Sequence, residues 1–316
     1  MTLRNALVGT LAVVSLASCG TTTPSSDSGK IQVVASTNVW GSVVKAVGGD
    51  EVEVKALLDD PSADPHSYES KPADAALVKD AKLVVFNGGG YDDFFAKLIT
   101  SDATKKIEAF PLREHDHAAE PTSAEPTSAA APTSEAPDAD GHDHAENEHV
   151  WYDLHTVRAV AEAAANELGA LAPDKKTTFE SNTQKFTAAL EDLEKKIAGA
   201  GTGKKVAATE PIAHYLLDET GATDATPEAF SKAVEEESDV PAAALASMNQ
   251  LVEGKQVNVL VNNTQTENNV TKQLVEKARK AGVPVVEVTE TLPAGVTGYL
   301  DWMSKQVDAL SQALKA

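Results

Sequence analysis

Four side chains able to hold a transition-metal ion fall just past expected strands or at loop–helix boundaries. His66 lies in Asp64-Pro-His-Ser-Tyr-Glu69 and His149 in Glu148-His-Val-Trp-Tyr-Asp153. Glu210 directly follows the Lys205–Thr209 segment, and Glu290 follows Pro284–Val288. Imidazole nitrogen and carboxylate oxygen are borderline-to-hard donors that suit Zn²⁺, Mn²⁺ or Fe²⁺. A single exposed His or Glu is ordinary surface chemistry. Four of them at matched positions, two in each half of the chain, are a stronger signal than any one alone, though spacing by itself does not assign a shared ion. His214 stands four residues beyond Glu210, on the same face if that stretch is helical, and competes for the third place. His155 reads as a helix-start residue rather than a ligand, and Trp40, Tyr68 and Trp151 as packing in the walls of a cleft.

A second group has a different character. His115-Asp-His117 and His142-Asp-His144 place four of the eight histidines in two short triplets, with Glu146 and Glu148 beside the second. Closely spaced imidazoles and carboxylates without a rigid frame suit labile capture of metal ions. Between the triplets runs AEPTSAEPTSAAAPTSEAPDAD, an imperfect repeat with no apolar side chain larger than Ala. It cannot bury enough surface to offset the entropy of ordering, so a disordered insert is expected at about residues 113–148.

The elements that position these residues alternate. Short β-branched runs are expected as strands at Ile31–Ser36, Glu51–Leu58, Leu83–Phe86 and Lys106–Phe110, with helices at Asn38–Val47, Pro72–Asp80 and Asp92–Thr100 between or after them. From Thr156 to about Ile197 the pattern is helical, broken at Pro173, and its second half is roughly 20 residues or about 30 Å long. Alternation then resumes with strands at Lys205–Thr209, Val257–Val261 and Pro284–Val288. Helices are expected at Pro211–Glu219, Pro241–Glu253, Val270–Ala281 and Tyr299–Leu314. The expected fold is α/β with two lobes, each a small sheet flanked by helices, joined by a long rigid helix. The lobes span 31–155 and 204–316, with the helical region at 156–203. Ligand sites in such sheets lie beyond the strand C-termini, here facing the gap between lobes.

Composition narrows the function. Lys+Arg total 27 against 48 Asp+Glu, a net charge of −21, which argues against nucleic acid as partner. The 42% hydrophobic content is enough to build real cores. One cysteine, Cys19, excludes a disulfide framework and any Cys-rich zinc module. It ends a leader with Arg4 in a basic head and a mostly apolar stretch from Ala6 to Ala17, too short to span a bilayer in the mature protein. Leu16-Ala-Ser-Cys19 resembles a bacterial lipobox. The resemblance implies removal of residues 1–18, lipid on Cys19 and a flexible tether to residue 30, with the body held outside the cell membrane. Neither His-Glu-x-x-His nor Gly-x-Ser-x-Gly occurs, and an enzyme is not expected.

The motifs together resemble the zinc/manganese-binding lipoproteins that serve as solute-binding components of metal ABC transporters. Asp64-Pro-His66-Ser-Tyr-Glu69 matches their first His motif. His149-Val-Trp151 matches the second, with Asn147-Glu148 where Asp-Pro is usual. Thr209-Glu210, followed by Tyr215 and Gly221, matches the third segment, and Glu290 stands in Val-Thr-Glu-Thr-Leu where the family normally has Asp. The resemblance implies a metal set of His66, His149, Glu210 and Glu290, with His115, His117, His142 and His144 as accessory capture residues. In that family a carboxylate at the third position is common in manganese binders and a His-rich loop in zinc binders. Zn²⁺ is the expected ion, Mn²⁺ the alternative. The expected partner is a membrane permease, the expected state a monomer, and a surface adhesin with secondary metal binding is a rival reading.

Overall fold

The computed structural model describes residues 29–61, 68–101, 103–113 and 147–316. The leader, Cys19, most of the tether, His66 and all four triplet histidines lie outside the described residues. The first sheet is built from β1 (Ile31–Thr37), β2 (Val52–Leu58), β3 (Leu83–Phe86) and β4 (Lys105–Glu108). Its helices are α1 (Asn38–Gly48), α2 (Pro72–Asp80) and a single turn, α3 (Asp93–Ala96). Then come α4 (Leu154–Leu171) and α5 (Lys176–Ile197). The second half runs β5 (Lys205–Ala208), α6 (His214–Glu219), β6 (Thr223–Asp224), α7 (Glu228–Glu235), α8 (Ala242–Glu253), β7 (Val259–Asn263), α9 (Asn269–Ala281), β8 (Val285–Val288) and α10 (Tyr299–Lys315).

Both sheets are parallel throughout, with strand orders β2-β1-β3-β4 and β6-β5-β7-β8. The two halves therefore repeat one topology. In each, the order reverses beside the first strand, and the crevice beyond the strand C-termini opens there. Leu83–Phe86 is buried at every position, as a central parallel strand covered on both faces must be. Thr37 ends β1 and caps α1, its side chain accepting the Trp40 N–H.

The long helix was expected and is present. Phe179, Thr183, Phe186, Leu190, Leu193 and Ile197 of α5 are buried at alternating steps of four and three, one stripe along its whole length. That stripe joins a single apolar core holding Trp40 and Val43 from the first half and Trp302, Met303 and Leu310 from the last helix. A shared core of this kind resists a wide hinge motion, because separating the lobes would expose it.

Several boundaries differ from the sequence reading. The expected Asp92–Thr100 helix shrinks to the turn of α3. There Asp92 turns back to accept the backbone N–H groups of Asn87 and Gly88 at 2.7 and 2.8 Å. The helix after the insert starts at Leu154, capped by Asp153, and His155 sits in its first turn. Two elements were not anticipated: the two-residue strand β6 and the helix α7.

Candidate metal-binding site

The predicted residues of the second lobe converge. Glu210 lies one residue beyond the Thr209 that follows β5, Asn263 ends β7, and Glu290 lies just beyond β8. All three sit at the C-terminal edge of one sheet, beside its switch point. Glu210 is 4% and Glu290 1% exposed, so both carboxylates are withdrawn from water. Such groups need close hydrogen-bond partners. Asn263 Nδ2 lies 2.5 Å from Glu210 Oε2 and 2.8 Å from Glu290 Oε1, so one amide group bridges both. Thr266 donates its hydroxyl to Glu210 Oε1 at 2.5 Å. Tyr91, from the loop after β3 in the other lobe, donates to Glu290 Oε2 at 3.0 Å. The Glu290 backbone is pinned too, its N–H donating to Gln265 Oε1 at 2.5 Å.

His149 comes from the segment between the insert and α4 and is fully buried. Its ring packs edge-on against Trp151, with Tyr91 on another side. Asn147 Oδ1 accepts the His149 backbone N–H at 2.9 Å and lies 2.8 Å from Nδ1. Because that oxygen is an acceptor, Nδ1 carries the ring proton and Nε2 keeps the lone pair that a metal requires. Asn147 Nδ2 in turn donates to the Pro211 carbonyl, next to Glu210, which ties the two lobes together at this point. Behind it, Asn87 donates to the Glu148 carbonyl at 2.8 Å and accepts from the Trp40 indole at 3.2 Å. Trp40 and Trp151 thus stand behind the site, as expected of wall residues. Tyr68 donates to Asp74 at 2.8 Å and is engaged near the start of α2.

The competitor His214 is not brought in. Its side chain is 45% exposed and Nε2 lies 3.3 Å from Asp218, one turn along α6. His155 is 49% exposed and faces Glu219.

Sequence reasoning missed one carboxylate, Glu235, and one amide, Asn263. Glu235 ends α7 with its Oε1 4.0 Å from His149 Nδ1, and Glu148, His149 and Glu235 offer ligand atoms all within 4.8 Å of one another. The Glu235 carboxyl is pushed up to about 8, first by burial and then by the negative charges of Glu148, Glu210 and Glu290. Four carboxylates therefore crowd one region, an arrangement that a divalent cation relieves. The signal for α7 was available, since Phe230, Ala233 and Val234 are buried at helical spacing after Pro227. A groove of about 630 Å³ elsewhere, lined by Lys45, Lys55 and Leu292 among others, contains none of these residues. Among the described residues, His149, Glu148 and Glu235 are close enough to share one metal ion, and Glu210 and Glu290 add their charge to the same region.

Known proteins resemble the chain over most of its length. The manganese ABC transporter substrate-binding lipoprotein scaA of Streptococcus gordonii is 26% identical over 292 residues, covering 89% of this chain and 80% of that protein. The iron ABC transporter substrate-binding lipoprotein MtsA of Streptococcus pyogenes serotype M1 is 26% identical over 196 residues, 60% of this chain and 57% of that one. The periplasmic zinc-binding protein TroA of Treponema pallidum shares the fold, with a TM-score of 0.69 at 16% identity over 90% of this chain and 99% of that one. Residues 33–313 match the family described as zinc-uptake complex component A, periplasmic. The chain belongs to that family, and is accordingly a substrate-binding component of metal transport and not an enzyme.

Proposed function

We propose that the chain is the extracytoplasmic receptor of a divalent-cation ABC importer, that zinc is its preferred cargo, and that His66, His149, Glu210 and Glu290 hold the ion. The observation that carries this reading is the buried pair Glu210 and Glu290, gathered on one amide beside a histidine whose Nδ1 is committed to Asn147. Two imidazole nitrogens and two carboxylate oxygens make a four-coordinate set suited to Zn²⁺. The cation replaces like-charge crowding with attraction, and burial strengthens that attraction. The net charge of −21 adds long-range steering of cations that salt weakens. The loaded protein then presents the ion to a membrane permease, with lipid on Cys19 keeping the receptor near it. The triplets His115/His117 and His142/His144 raise the zinc concentration available to the receptor. A manganese cargo is the second reading, favoured by the carboxylate pair and by the manganese transporter protein among the relatives.

The test is calorimetric titration of metal-free protein with zinc and manganese at pH 7.5 and 5.5, alongside His149→Ala. One tightly held ion per chain, zinc over manganese, with loss of at least a hundredfold in the variant, is the expected result. Affinity should also be lower at pH 5.5 than at pH 7.5, because a protonated imidazole nitrogen cannot bind the ion. Equal affinity at both pH values, or an indifferent variant, contradicts the reading.

A further inference from the structure

We propose that Asn263 determines which divalent cation the site prefers, by holding Glu210 and Glu290 as single-oxygen donors. This rests on the metal-binding reading above and deepens it. Asn263 is 2% exposed, and the orientation of its amide is fixed. Its Oδ1 accepts the Gln265 backbone N–H at 3.1 Å, so Nδ2 faces the two glutamates. Its own backbone N–H donates to Thr209 Oγ1 at 3.0 Å, which locks β7 to the end of β5.

The two Nδ2 hydrogens are shared among Glu210 Oε2, Glu290 Oε1 and, at 2.8 Å, the Thr266 hydroxyl oxygen. Thr266 donates its own hydroxyl hydrogen bond to Glu210 Oε1, and Tyr91 donates to Glu290 Oε2. Every oxygen of the two carboxylates therefore already accepts one hydrogen bond. Each carboxylate keeps lone pairs for an ion, but its plane is set. Turning either one to grip an ion with both oxygens breaks at least one of these buried bonds. One oxygen from each, with two imidazoles, gives four-coordination, which Zn²⁺ accepts readily. Mn²⁺ favours a larger, oxygen-rich shell, which this clamp withholds. The bridging group is also electrically suitable. A lysine there would satisfy both carboxylates but repel the incoming cation, whereas a neutral amide gathers them and leaves their charge to it.

The experiment measures zinc and manganese affinities by competition, monitored by native mass spectrometry, for the full chain and for Asn263→Ala. The readout is the ratio of manganese to zinc dissociation constants. It is expected to fall about tenfold or more in the variant, as zinc binding weakens within the 10–100-fold range of outer-shell losses and manganese binding weakens less. Of the four carboxylate oxygens, Thr266→Val frees one, Glu210 Oε1, while also removing an acceptor of Asn263 Nδ2, and Tyr91→Phe frees one, Glu290 Oε2, so each should move the ratio the same way by a smaller factor. These two decide the matter if Asn263→Ala does not fold. A ratio that stays constant because both ions weaken equally, that does not change at all, or that rises overturns the inference while leaving the metal-binding reading in place. A wild-type chain that binds neither ion overturns both.

Discussion

Replacing Glu235 by Gln should flatten the pH dependence of stability in the metal-free protein. Burial and three neighbouring carboxylates raise the Glu235 carboxyl to about 8 from an ordinary value of 4.5. Below about pH 4.5 the group is protonated in both folded and unfolded chains and costs nothing. As pH rises from there to about 8, the unfolded chain loses this proton first, and the folded state is progressively penalised. At ~1.36 kcal/mol per pH unit the full span has a ceiling of about 5 kcal/mol. The side chain is 25% exposed, and water screening brings the figure down to roughly 2–3 kcal/mol. For a protein of this size that is a fall in melting temperature of roughly 4–10 °C between pH 5 and 8.5, beyond whatever other groups contribute. Gln has the same shape and cannot ionise, so the difference between wild type and Glu235→Gln isolates the term. The assay is thermal unfolding of both proteins in chelator at several pH values. The variant should gain on the wild type steadily through that window. Parallel curves from pH 5 to 8.5 refute the crowding of charge around His149.

Two further outcomes follow from the geometry. Asn147→Ala removes both the acceptor that fixes the His149 tautomer and the donor to the Pro211 carbonyl, and should weaken zinc binding about 10–100-fold, while Asn147→Asp keeps the acceptor, loses only the donor and should weaken it less; calorimetry distinguishes them. Gly89 has φ +65° and a Cβ there would meet the Phe110 ring at 2.6 Å, whereas Gly90 has φ +95° with nothing within 4 Å. Gly89→Ala should therefore cost about 2–4 kcal/mol in urea unfolding and Gly90→Ala only about 1–2, the backbone part alone.

Most of the fold was legible because its signals are local. Leu83–Phe86 is a continuous apolar run between polar neighbours, and the stripe on α5 repeats for six buried positions. The strand β6 was not legible, since Thr223–Asp224 is polar, exposed and two residues long. Its pairing with β5 comes from the sheet and not from its own side chains. The site was legible to the extent that its residues follow strands. Glu210 and Glu290 could be placed at the same sheet edge from sequence alone. Their bridge could not, because Asn263 joins residues 53 and 27 positions away and an Asn at a strand end suits many turns. Glu235 escaped for a similar reason: only the packing of α7 brings its carboxylate against His149. The failed Asp92–Thr100 helix shows the converse. Asp92 suited a helix start, but its carboxylate serves the backbone of Asn87 and Gly88 instead.

The most direct measurement is a crystal structure of the zinc-loaded protein, with the ion located by anomalous scattering. One ion within about 2.0–2.2 Å of His149 Nε2 and of one oxygen each from Glu210 and Glu290, with His66 as the fourth ligand, is the predicted result. Zinc held by Glu148 and Glu235 alone, with Glu210 and Glu290 out of bonding distance of it, would contradict the account.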